Sequence, residues 1–169
     1  MDLVRATKEN NVFHDLEAQW RGQHAEYEDN FEDYVLSYRE HSKRVIDDAF
    51  QNYFVYAINN NGAYDGFLHV NHSRIKGLPG YTLRALEIIL APKYDYEDMQ
   101  MDIIAELCAG ILTGLMKLSE ESLPSQNVKI HMKPLDKEVF TAFAKFFSMS
   151  DGVNINVHGS WLVLQKNNT

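Results

Sequence analysis

The most restrictive feature is the run Leu83–Ala91, closed by Pro92 and followed by a long amphipathic stretch from about Asp98 to Ser119. Apolar residues stand on both parities of the run, which fits a strand covered on both faces rather than one with a wet side. In the stretch that follows, Met99, Ile103, Leu107, Ile111, Leu115 and Leu118 recur at three- and four-residue spacing, the stripe of a helix laid on a sheet. A central strand covered on both faces and followed by such a helix points to an α/β fold.

The rest of the chain reads around that centre. Leu3–Ala6 is a short opening strand. Thr7, Asn10 and Asn11 offer caps for a helix over Val12–Ala25. A second helix is expected from Asn30 to Gln51, with Phe31, Tyr34, Val35, Tyr38, Val45, Ile46, Ala49 and Phe50 as its apolar face. Tyr53–Ile58 and Tyr64–Asn71 are strands of a hairpin around Asn59-Asn60-Asn61-Gly62, a strong turn signal. His72–Tyr81 is a loop, Val128–Met132 a strand and Asp136–Phe147 a Phe-rich helix. Ile155–Val157 and Ser160–Leu164 close the chain as a hairpin about His158-Gly159. With neither repeat nor linker, 169 residues are expected to form one domain, 1–169, in the order β-α-α-β-β-β-α-β-α-β-β.

Charge and cysteine content exclude several functions. A net charge of −8 opposes ordinary nucleic-acid binding, which relies on Lys and Arg to neutralise phosphates. The single cysteine, Cys108, excludes an intrachain disulfide and a Cys-rich zinc site, and reads as a buried, inert thiol. No segment has the roughly 18 unbroken apolar residues of a membrane helix. Met1–Glu9 lacks the apolar core of a secretory signal, so the cytosol is the expected compartment.

In its element order and in three local features, the chain resembles the GNAT superfamily of N-acyltransferases. Leu3-Val4-Arg5-Ala6-Thr7 is similar to that family's opening strand. Asn61 to Phe67 is similar to its hairpin, with Gly66 just before the apolar core of the second strand. Leu90-Ala91-Pro92-Lys93-Tyr94 is similar to the end of its fourth strand. The resemblance implies a GNAT-like mixed sheet flanked by helices on both faces, acetyl-CoA as co-substrate and an amine as acceptor. It places the cofactor along the end of the fourth strand, at Ile89 and Leu90, and implies a cleft between the fourth and fifth strands.

The family's cofactor loop is Arg or Gln, two residues, Gly, one residue, then Gly or Ala. Its glycines let backbone N–H groups approach a pyrophosphate at the start of a helix. Here the matching residues are Asp95-Tyr96-Glu97-Asp98-Met99-Gln100, with Asp95 at the basic position and Asp98 and Gln100 at the glycine positions. A carboxylate about 4–5 Å from a phosphate is repelled by about 3–4 kcal/mol at a surface-like dielectric. The same residues serve a helix start well, through caps and the helix dipole. The chain is therefore read as divergent: Asp95, Glu97 and Asp98 fill the anion site themselves, and acetyl-CoA binds weakly. Where the family often carries a tyrosine that protonates the departing thiolate, Phe143 stands, and it has no proton to give.

Among other candidates, Glu87 is the one carboxylate within the central strand and the candidate general base for an amine. A solvent-facing Glu paired with Arg84 or Lys129 is the structural alternative. His69, His72 and His131 are candidate bases or ligands, since a strand pairing that neighbours His69 and His131 would bring them to one groove; hydrogen-bonded structural histidines are the favoured alternative. Asp95, Glu97 and Glu106 match positions 1, 3 and 12 of a calcium loop, but Met99 and Gln100 occupy a ligand position and the turn glycine, so no metal is expected. The alternatives to an enzyme are a non-catalytic GNAT-fold binding protein and an acidic decoy of nucleic acid. The decoy needs Glu26–Asp33 and Asp95–Glu106 on one continuous face.

Overall fold

The computed structural model describes residues 1–96, 101–132 and 153–166. The elements are β1 (Asp2–Arg5), α1 (Val12–Glu26), α2 (Leu36–Asp48), β2 (Tyr53–Asn60), β3 (Ala63–Arg74), β4 (Tyr81–Leu90), α3 (Lys93–Tyr96), α4 (Met101–Glu121), β5 (Asn127–His131), β6 (Val153–His158) and β7 (Trp161–Lys166). The seven strands bond in the order β1-β2-β3-β4-β5-β7-β6. The β4–β5 pair is parallel, whereas β1–β2, β5–β7 and β6–β7 are antiparallel, so the sheet is mixed. The expected helix over Asp136–Phe147, with Phe143, lies outside the described residues, as do Glu97, Asp98, Met99 and Gln100.

The chain packs as two compact units, Met1–His69 with Ile88–Met99, and Val70–Glu87 with Gln100–Thr169. In the first, α1 and α2 lie on β2. Phe13, Leu16, Trp20 and Val45 from the helices meet Val55, Ala57, Phe67 and Ile89 of the sheet and Ala91 just past β4. Trp20 satisfies its indole N–H on the carbonyl of Tyr64 at 2.9 Å, so its full burial leaves no donor stranded. The expected turn forms: Asn61 and Gly62 both have positive φ, 53° and 94°, as a two-residue type I′ hairpin requires.

In the second unit α4 lies on β5. Leu107, Ile111, Leu115 and Leu118 are buried as the helical stripe requires, and Cys108 is buried with them. Ile103, in the first turn, is 41% exposed, so the buried stripe begins a turn later than expected. No described helix is long and apolar enough to cross a membrane.

The second helix departs from its expected bounds. Phe31–Val35 is a succession of turns and α2 begins at Leu36. Val35 adopts φ 42°, ψ 35°, a left-handed conformation that is rare for a β-branched residue. The cause is tertiary: Nη1 of the buried Arg39 takes the carbonyls of Phe31, Glu32 and Tyr34, at 3.0, 3.3 and 3.4 Å, which a continuous helix would pair with its own amides. At the other end Ala49 is also left-handed and Phe50 is 48% exposed, so neither belongs to the apolar face.

Candidate functional site

At the carboxyl end of β4, α3 follows directly. Every polar side chain of α3 is bonded within the first unit. Lys93 pairs through Nζ with the buried Asp65 at 2.6 Å, and its amide donates to Gln23 Oε1 at 3.2 Å. Desolvation opposes the charge on Lys93, but the Asp65 carboxylate more than offsets it and raises its pKa. Asp95 accepts from the Tyr34 hydroxyl at 2.8 Å, and that hydroxyl also lies 3.1 Å from the Leu90 carbonyl. Burial, reinforced by Asp95, holds the Tyr34 phenol far above the ordinary tyrosine range.

A second tyrosine–carboxylate bond runs the other way. Tyr96, from α3, donates to Asp29 in the loop after α1, while Tyr34, from that loop, donates to Asp95 in α3. The two segments are thus tied reciprocally. The bond to Asp29 pushes the Tyr96 phenol up to about 12 and holds the Asp29 carboxyl below its usual range. Tyr27 stacks on Tyr96 with centroids 4.2 Å apart. The loop is bounded by two left-handed residues, Glu28 and Val35.

His24 lies under this tie. Its ring is 1% exposed among Phe31, Tyr34 and Tyr96, and Nδ1–H donates to the Tyr96 oxygen at 3.0 Å, because the Tyr96 proton is committed to Asp29. Among the described residues the buried Nε2 has no hydrogen-bond partner, so the neutral tautomer leaves a lone pair there rather than a stranded N–H. Desolvation lowers the His24 pKa below 6.5. The unfolded chain therefore takes the proton first: stability is full above pH 6.5 and declines as pH falls through the folded value. Urea unfolding between about pH 7 and pH 5 is expected to show that decline, and His24→Phe is expected to flatten it. An unchanged slope in the variant would exclude His24 as its source.

On β4 itself, strand alternation puts Glu87 on one face with Ala85 and Ile89, and Arg84 on the other with Leu86. Arg84 therefore does not serve as the neighbour of Glu87; it turns to Asn71 Oδ1, at 2.6 and 3.2 Å. Glu87 is half-buried, two residues past Ala85↔Ile130, where the β4–β5 register pairs end. At that end His131 Nδ1–H donates to the Leu86 carbonyl at 3.2 Å, with the exposed ring 4.8 Å from Trp161. The bond fixes the proton on Nδ1 and leaves Nε2 as the basic nitrogen. Ile89 is 4% exposed and its side chain belongs to the core, while Leu90 is half-buried with its carbonyl beside Tyr34.

His69 belongs to the first unit. It is fully buried, with Nε2 2.7 Å from Ser42 Oγ and its ring against His41. Ser42 gives its proton to the Tyr38 carbonyl at 2.8 Å, so it is His69 that donates to Ser42. His72 donates from Nε2 to the Pro124 carbonyl at 3.2 Å and stacks on Tyr81. Among the described residues no group of three or more His, Cys, Asp or Glu is arranged to hold a metal ion. Asp95, expected at a helix start with Glu97 and Asp98, lies in the first turn of α3, facing Tyr34, while Glu97 and Asp98 lie outside the described residues.

The residues that sequence reasoning missed are Tyr34, Tyr96, Asp29 and His24. Tyr34 passed as a stripe residue. The one local signal was the alternation Tyr94-Asp95-Tyr96, which sets a phenol and a carboxylate side by side.

No protein-family model matches the sequence, and no curated protein does. Solved structures do resemble it. One is a probable acetyltransferase, with a TM-score of 0.50 and 14% identity over 85% of this chain and 88% of that one. Another is the N-acetyltransferase PseH of Campylobacter jejuni, with a TM-score of 0.53 and 11% identity over 99% of this chain and 98% of that one. PseH in complex with acetyl coenzyme A gives 0.51 and 12%, over 99% of each chain.

Proposed function

We propose, for a chain that has the GNAT fold, a divergent N-acyltransferase that moves an acetyl group from acetyl-CoA to an amine and holds its cofactor weakly. The observation that carries the reaction is the place of Glu87, half-buried just past the last β4–β5 register pair. In this reading the Glu87 carboxylate takes a proton from the acceptor ammonium. The freed amine attacks the thioester carbonyl, and the tetrahedral intermediate expels CoA as a thiolate, which receives through water the proton that the substrate nitrogen loses on becoming an amide. The backbone at Ile89 and Leu90 would run beside the pantetheine. Weak cofactor binding follows from α3, whose Asp95 carboxylate stands where the pattern calls for a cation and is tied to Tyr34.

The same ties favour a second reading, a non-catalytic binding protein on this fold. Calorimetry with acetyl-CoA separates the two. The acyltransferase reading expects a Kd weaker than about 100 μM, roughly 5.5 kcal/mol of binding. Micromolar binding would overturn the account of α3. No heat and no thermal stabilisation at millimolar acetyl-CoA would leave the binding protein.

A further inference from the structure

Within the second unit, Arg84 and Lys129 are register partners in the parallel β4–β5 ladder, so their side chains leave the same face next to each other. Like charges placed directly across a sheet destabilise it, and both residues are half-buried, where water screens them less. Among the described residues neither meets a carboxylate within 4.0 Å. Among the described residues the hydrogen-bond partners of Arg84 are neutral: Nε and Nη2 fork onto Asn71 Oδ1, and Nη2 also lies 3.4 Å from Ser73 Oγ. Ser73 in turn donates to Asn71 Oδ1 at 2.8 Å, which fixes the acceptor and thereby the plane of the guanidinium. The cross-strand neighbour of Lys129 on β7 is Val163, apolar and buried. Two register partners of like charge, in a chain of net charge −8, thus find no offsetting carboxylate among the described residues.

We infer that the Arg84–Lys129 pair is a binding site for a small oxyanion, a carboxylate or phosphate group seated between guanidinium and ammonium. The oriented guanidinium offers Nη1 as a directional donor, and the lysine supplies a mobile point charge. The site does not depend on acyl transfer, and it uses the β4 face opposite the one that carries Glu87.

The test is a titration of the whole protein with inorganic phosphate and, separately, with succinate, at constant ionic strength. The Arg84 Nε–Hε resonance and the thermal midpoint are followed together. A saturable shift with a Kd on the order of 1–10 mM is expected from at least one of the two. A response to phosphate alone, to succinate alone or to both identifies the source of the oxyanion. Lys129→Gln is expected to weaken binding at least tenfold. In anion-free, low-salt buffer it should also raise the thermal midpoint, because it removes one of two like charges at register-paired positions; a lysine with a purely structural role would not give that gain. No saturable shift with either anion, or the same affinity in Lys129→Gln, would overturn the proposal. If the variant failed to fold, the wild-type titration would still decide.

Discussion

Arg39→Ala is expected to lower the unfolding free energy by about 3 kcal/mol, read as a fall in the urea midpoint at unchanged m. Arg39 is 3% exposed. Its Nε bonds Glu17 at 2.8 Å, Nη1 holds the carbonyls that end the turns before α2, and the guanidinium lies 3.9 Å over the Phe31 ring. Truncation would strand those carbonyls and leave the Glu17 carboxylate with Lys43 alone, a half-exposed partner at 2.9 Å. That remaining pair is why the expected loss falls at the lower end of what breaking a buried ion pair costs, about 3–5 kcal/mol. It would also release the restraint on Val35, whose left-handed backbone costs about 1–2 kcal/mol to maintain. Glu17→Gln, which keeps the carbonyl bonds and an amide oxygen for Nε but leaves the Arg39 charge unpaired, is expected to cost less, about 1.5–2 kcal/mol. Equal losses in the two variants would show that the ion pair, not the capture of carbonyls, is what Arg39 supplies.

Gly66→Ala is expected to destabilise by about 2–3 kcal/mol. A Cβ at this position would stand 2.6 Å from the Ile89 carbonyl oxygen and 2.9 Å from Ile58 Cδ1. The isoleucine can change rotamer; the carbonyl belongs to β4 and cannot withdraw without moving the strand. Ile58→Val in the same chain should therefore recover only a minor part of the loss, measured by the same denaturation. Full recovery would mean that the side chain, not the β4 backbone, is the obstacle. Because the strand that would move carries Leu90 towards Tyr34 and Asp95, the variant is also a direct test of how firmly the candidate site is held.

Much of the fold was legible because its causes are short-range. Asn61-Gly62 adopts the positive φ of its turn from steric freedom alone. The spacing of Leu107, Ile111, Leu115 and Leu118 marked a buried face before any partner was known. The end of β4 was legible at Pro92, which cannot donate to a ladder. The second helix was not, because Phe31, Tyr34 and Val35 keep helical spacing while Arg39, four or more residues on, removes the carbonyls such a helix needs.

The candidate site divides along the same line. The sequence by itself determined that the residues after the fourth strand are acidic, and that Glu87 is the lone carboxylate on that strand. Both follow from composition at fixed positions, and both limit how an anionic cofactor can be met. What those carboxylates face was decided by tertiary structure: Asp95 by Tyr34 from 61 residues away, and Asp29 by Tyr96 from 67. The physical reason is range. Backbone preference and periodicity act over a few residues, whereas a hydrogen bond between side chains exists only where the folded chain brings donor and acceptor within about 3 Å.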